Sequence, residues 1–152
     1  MTTKLYESKI NAPVEKLWEF HRSAEALRLL SPPGKTVLPI GDDLEVRNGA
    51  RHHLQIQVGP MKLNWIALLS EVEPPFGFTD TAIKSPFKFW RHRHEFIADG
   101  EHSILRDHVD YALPFGIFGE LANKLFVGKD IDAMFAHRHK VTMREVEKLG
   151  TS

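Results

Sequence analysis

Cysteine is absent from the 152-residue chain. Disulfides, thiolate metal ligands and a thiol nucleophile are thereby excluded, and the absence fits a reducing compartment. No apolar run approaches the roughly 20 residues that cross a membrane as a helix. The opening MTTKLYESKI lacks the basic-then-apolar pattern of an export signal. Net charge is missing as well: Lys plus Arg and Asp plus Glu both number 20. No global field therefore draws the chain towards nucleic acid or an acidic membrane. There is no internal repeat, no low-complexity tract, no HExxH spacing and no nucleophile-elbow motif. SPPGK at 31–35 falls short of a phosphate loop. The expectation is a cytoplasmic protein, residues 1–152 forming one domain with room for a real core. It has no nucleic-acid partner, no stable membrane insertion, no cofactor and no metal.

What is present is a run of alternating segments. KLYESKI at 4–10 reads as a first strand. NAPVEKLWEFH comes next as a helix, with Pro13 suited to its first turn and Val14, Leu17, Trp18 and His21 on one face. SAEALRLL is a second short helix with Ser23 as its cap, stopped by SPPG. KTVLPIG is a short strand near an edge because of Pro39. Strands are then predicted over 50–58, 61–72, 76–83, the FWRHRHEF region and 102–113. A long helical run extends to about residue 148. On it, Phe118, Leu121, Ala122, Leu125, Ile131, Phe135 and Arg138 obey a 3.6-residue period, and Gly128 marks close packing or a kink.

This order predicts an α+β fold. A curved antiparallel sheet of about seven strands wraps a long C-terminal helix, with two short helices after the first strand. The chain resembles the helix-grip superfamily: START lipid-transfer domains, polyketide cyclases and aromatases, and the birch pollen allergen. The similarity is carried by NAPVEKLWEF, EPPFGFTD, SPFKFWRHRHEF and LRDHVDYALPFG, and is nearest to stand-alone bacterial members. It implies a central pocket for a hydrophobic or aromatic molecule, and in some members cyclisation, dehydration or hydrolysis.

Alternation in FWRHRHEF puts His92 and His94 on the same side as Trp90 and Phe96. Tight hairpins predict which residues share that side. Leu54 faces Trp65 and His52 faces Ala67. Across the next turns Glu71 faces Phe78, Leu69 faces Asp80, Phe78 faces His94 and Asp80 faces His92. Across ADGE, His94 faces Leu105, His92 faces Asp107 and Trp90 faces Val109. The predicted pocket residues are His52, Leu54, Trp65, Phe78, Asp80, Trp90, His92, His94, Asp107, Tyr111, Phe118 and Phe135. His53 points outward, and HRHK at 137–140 reads as a solvated basic face. Three roles remain open for the His–Asp row: a self-satisfied structural network, a polar anchor for a ligand, or acid–base or metal chemistry. The preferred reading is a small hydrophobic or aromatic ligand held between sheet and helix. The alternatives are a cyclase or dehydratase using the same pocket, and a regulatory or scaffolding module whose interior is filled.

Overall fold

The computed structural model describes residues 1–150. Seven strands form one antiparallel sheet: β1 Thr2–Ile10, β2 Lys35–Ile40, β3 Arg51–Val58, β4 Met61–Glu73, β5 Gly77–Lys84, β6 Phe89–Asp99 and β7 His102–Ala112. Their spatial order is β1-β7-β6-β5-β4-β3-β2. The consecutive strands β2 to β7 make a meander, and β1 closes onto β7. Between β1 and β2 lie α1 Val14–His21 and α2 Ala26–Leu30. After β7 come α3 Gly116–Ala122, a π-helical turn Asn123–Val127 and α4 Gly128–Gly150. Among the described residues no helix is long and apolar enough to cross a membrane.

Strict alternation makes the sheet two-faced. Along β7, Ser103, Leu105, Asp107, Val109 and Tyr111 are buried and their neighbours are not. The outer face is laced by charge, with Glu71 bonded to Arg91, and Arg106 to Glu7. The inner face receives α4 through Ile131, Phe135, His139, Thr142 and Val146, spaced at helical intervals. Tyr6 on β1 stacks on Phe135 at 4.6 Å, and its hydroxyl donates to Asp132 on the same helix. Two apolar clusters result. One gathers Ile10, Leu17, Leu69, Phe78, Phe96, Leu105 and Val146. The other gathers Trp65, Trp90, Val109, Tyr111, Ile131 and Phe135. Along β6 the first cluster takes Phe96 and the second takes Trp90, which leaves His92 and His94 between them.

Most of the predicted hairpin pairing is observed. Leu54 lies opposite Trp65, Leu69 opposite Asp80, Phe78 opposite His94 and Asp80 opposite His92. The β6–β7 pairing is offset by two residues: His94 faces Asp107, His92 faces Val109 and Trp90 faces Tyr111. The turn is centred on Gly100-Glu101, with Gly100 at positive φ in its first central position. An even offset leaves every side chain on its expected face. Glu71 departs from the prediction. It sits in a β-bulge at φ 51 and turns its carboxylate outward to Thr79 and Arg91 instead of facing Phe78.

The helical stripe needs a larger correction. Phe118 does not face the interior: it is 74% exposed, and Leu121 and Leu125 are exposed too. The π-helical turn supplies the reason. One extra residue in a turn rotates the helix on its N-terminal side by about 100° relative to the helix on its C-terminal side. The apolar positions of α3 and α4 therefore do not share one face, although they share a spacing. Gly128 closes this wide turn, and a Cβ there would press on the Asn123 carbonyl oxygen.

Gly77 carries a sharper requirement. It has φ 140, and a Cβ would collide with the backbone carbonyl of His94 on the neighbouring strand. Gly77→Ala should destabilise the fold by about 2 kcal/mol or more. Chemical denaturation of the variant checks this, and an unchanged midpoint would refute the close approach.

Candidate functional site

A cavity of about 350 Å³ lies between the inner face and α4. Its wall includes Leu54, Trp65, Trp90, Ile131 and Phe135, with Phe87 from the β5–β6 turn. Trp65 and Trp90 meet edge to face at 5.5 Å, so both indoles stand on the same side of the sheet. Of the predicted pocket residues, His52, Leu54, Trp65, Phe78, Asp80, Trp90, His92, His94, Asp107 and Phe135 line this space. Tyr111 points inward but is packed behind the wall, its hydroxyl donating to Asn123 Oδ1 at 2.5 Å. Phe118 stands outside altogether. His52 is held by the Glu45 carbonyl at 2.9 Å.

The polar floor of the cavity is a connected cluster. Asp107 accepts from two imidazoles: His92 Nε2 to Oδ1 and His139 Nε2 to Oδ2, both at 2.7 Å. Burial alone would raise the Asp107 pKa. The electrostatic pull of His92 and the hydrogen bonds from His139 and His92 outweigh it and hold the carboxyl well below its usual range. An ionised carboxylate only accepts, so both histidines carry their proton on Nε2. With a neutral ring, His139 Nδ1 then accepts from the Ser8 hydroxyl at 2.7 Å. Asp80 accepts from His94 Nε2 at 2.7 Å. Burial opposes its ionisation too, but the His94 hydrogen bond and the nearby rings leave its pKa lowered. The His92 and His94 rings lie 3.7 Å apart, and Phe78 stacks on His94 at 4.1 Å. Burial and the neighbouring His92 lower the pKa of His94.

Three members of this site lie outside the predicted pocket set, although Arg138 belongs to the predicted helical stripe and His21 to the predicted face of the first helix. His139 and Arg138 belong to HRHK, whose composition suggests a solvated face. Helical phase contradicts that for His139, which lies four residues after Phe135 on the inward stripe. Arg138 borders the cavity, and its Nε is buried with no hydrogen-bond partner. Its charge lies 5.7 Å from the Phe135 ring. His21, at the end of α1, also borders the cavity, with Nδ1 bonded to the Leu17 carbonyl and its ring 4.8 Å from Phe96. Burial, reinforced by the His94 ring, lowers its pKa to about 4.

The model of a family described as polyketide cyclase / dehydrase and lipid transport matches residues 10–140. The chain belongs to this family. Solved structures show the same helix-grip fold. An aromatase/cyclase, Zhui, from Streptomyces sp. R1128 is 14% identical with a TM-score of 0.76, over 97% of this chain and 96% of that one. A START superfamily protein from Mycobacterium smegmatis is 16% identical with a TM-score of 0.69, over 97% and 98%. A protein from Chromobacterium violaceum is 12% identical with a TM-score of 0.77, over 95% and 96%. At such identities the likeness concerns the fold. No curated protein matches the chain. Membership in the polyketide cyclase / dehydrase and lipid transport family supports ligand binding or cyclase-type chemistry in general, without choosing between them.

Proposed function

We propose that the protein binds one small hydrophobic or aromatic molecule in the cavity between sheet and α4. The observation that carries this reading is the cavity itself: about 350 Å³, apolar-walled, with one polar floor. That volume lies in the range of small-molecule sites, and the division of labour is theirs. The aromatic wall takes the body of the molecule. Arg138, the one buried side-chain donor left without a partner among the described residues, suits an oxygen acceptor on it. The open volume speaks against an interior filled by the protein's own side chains.

An environment-sensitive apolar dye should bind the folded protein one to one. Trp90→Ala should weaken it roughly tenfold through loss of aromatic contact. Fluorescence titration of both proteins checks this, and native mass spectrometry would show any molecule that co-purifies. Absence of binding by dye and fatty acid alike would overturn the reading.

The second reading is a cyclase or dehydratase of the same pocket, and the His139–Asp107–His92 chain favours it. His92 would carry the proton and Asp107 would orient its ring. Turnover lost in His92→Ala while dye affinity is kept would select this reading over simple binding.

A further inference from the structure

The two histidines of β6 and the carboxylate of β5 form a set of donors that the ligand reading leaves without a task. With its Nε2 proton donated to Asp107, His92 presents Nδ1 towards Asp80 Oδ2 at 3.5 Å. The two atoms face each other at a separation too long for a good hydrogen bond, on strands held in register by the β5–β6 ladder. The spacing fits a metal ion: bonds of about 2.0–2.1 Å place tetrahedral ligand atoms about 3.3–3.4 Å apart. His94 completes the set, its Nε2 lying 2.7 Å from the same Asp80 oxygen. One donor atom from each of Asp80, His92 and His94 can be chosen so that all lie within 4.8 Å of one another.

We propose that Asp80, His92 and His94 bind a divalent transition-metal ion of the Zn²⁺ class at the floor of the cavity. Two imidazoles and one carboxylate are a common ligand set for such ions, and three protein ligands leave a coordination position open. All three ligands border the cavity, so that position faces it. The surroundings supply the second layer that metal-bound histidines require. Asp107 already fixes the His92 ring through Nε2 and is itself braced by His139. As the ion displaces the His94–Asp80 hydrogen bond, the His94 proton moves to Nδ1, which lies 3.6 Å from Asp107 Oδ1. One carboxylate then serves both rings. Two carboxylates, Asp80 and Asp107, stand together at this floor, each within 2.7 Å of a histidine of β6. The site sits between strands held in register by the β5–β6 and β6–β7 ladders, so its donors are fixed before the ion arrives.

This inference does not depend on what occupies the cavity, and it is tested without any organic ligand. Metal-stripped protein is titrated with Co²⁺ and monitored by visible absorption, and Zn²⁺ affinity is measured by competition with a chelating dye. One equivalent of Co²⁺ should give the intense bands of a four- or five-coordinate site, and Zn²⁺ should displace it. Asp80→Asn and His94→Gln should abolish the bands. Asp107→Asn should weaken Zn²⁺ about 10–100-fold, the usual effect of losing a carboxylate behind a ligating histidine. His53→Ala, which removes an exposed ring on the opposite side of β3, should change nothing. The wild-type spectrum decides even if a variant fails to fold. Weak octahedral Co²⁺ absorption with no saturation near one equivalent would overturn the proposal. So would bands that survive Asp80→Asn in a folded protein.

Discussion

Asp107→Ala in metal-free buffer should lower folding stability by about 2–6 kcal/mol, about 1–3 kcal/mol for each of two buried donors left without an acceptor. The carboxylate is buried and accepts the Nε2 protons of both His92 and His139. Without it, two donors on opposite sides of the interior, one on β6 and one on α4, lose their acceptor together. His139 is also the point where Ser8 of β1 is tied to the helix. The residue thus joins three elements, and its loss should be felt as loosening of α4 from the sheet. Asp110→Ala serves as control. Asp110 lies on the same strand but faces outward, bonded to the Thr3 hydroxyl at the surface, and its removal should cost no more than about 1 kcal/mol. Urea denaturation of both variants gives the comparison. Equal losses would mean that the network does not hold the helix.

How far this arrangement is legible in the sequence depends on how each part is encoded. Strand faces obey a two-residue period, so a two-residue error in the β6–β7 register leaves Trp90, His92, His94 and Asp107 on the inner side. It changes only who bonds whom. His92 reaches Asp107 diagonally, and His94 reaches Asp80 diagonally instead of resting beside Phe78 alone. Helix phase is more fragile. A single π-helical turn at Asn123–Val127 separates α3 from α4, and no spacing pattern in PFGIFGELANKLFVG announces it. Spacing alone puts Phe118 inward for that reason. HRHK at 137–140 misleads differently: four polar letters suggest a surface, yet helical geometry puts Phe135 and His139 on one line. Counting positions from Phe135 finds His139. The unpartnered state of Arg138 Nε depends on packing from several elements and has no local signature.

Acid should destabilise the protein in two separable steps, and His21 should account for much of the first. Its folded pKa is lowered from 6.5 to about 4, first by burial and then by the His94 ring. Between those values the unfolded chain holds a proton at this position and the folded chain does not. Each fall in pH therefore favours unfolding, and the contribution is fully present above 6.5 and lost on the way to about 4. At about 1.4 kcal/mol per pKa unit, the loss by pH 4.5 should be about 2–3 kcal/mol. His94, lowered in the same direction, adds to this window. Asp80 and Asp107 act elsewhere. Their lowered folded pKa values stabilise the protein above the ordinary carboxylate value near 3.8, and that support is lost only as pH falls below it. Replacing His21 by leucine removes the ring that rests on Phe96 and borders the cavity, and keeps an apolar side chain there. Stability of His21→Leu measured from pH 7 to 4.5 should decline less than wild type by about 2–3 kcal/mol. Below pH 3.8 the two curves should run in parallel, because the Asp80 and Asp107 pairs remain in both. The exposed carboxylates titrate alike in both proteins and cancel in the difference. If the curves run in parallel between pH 6.5 and 4.5 as well, His21 takes up its proton in the folded state, and its burial against Phe96 and His94 does not exclude charge.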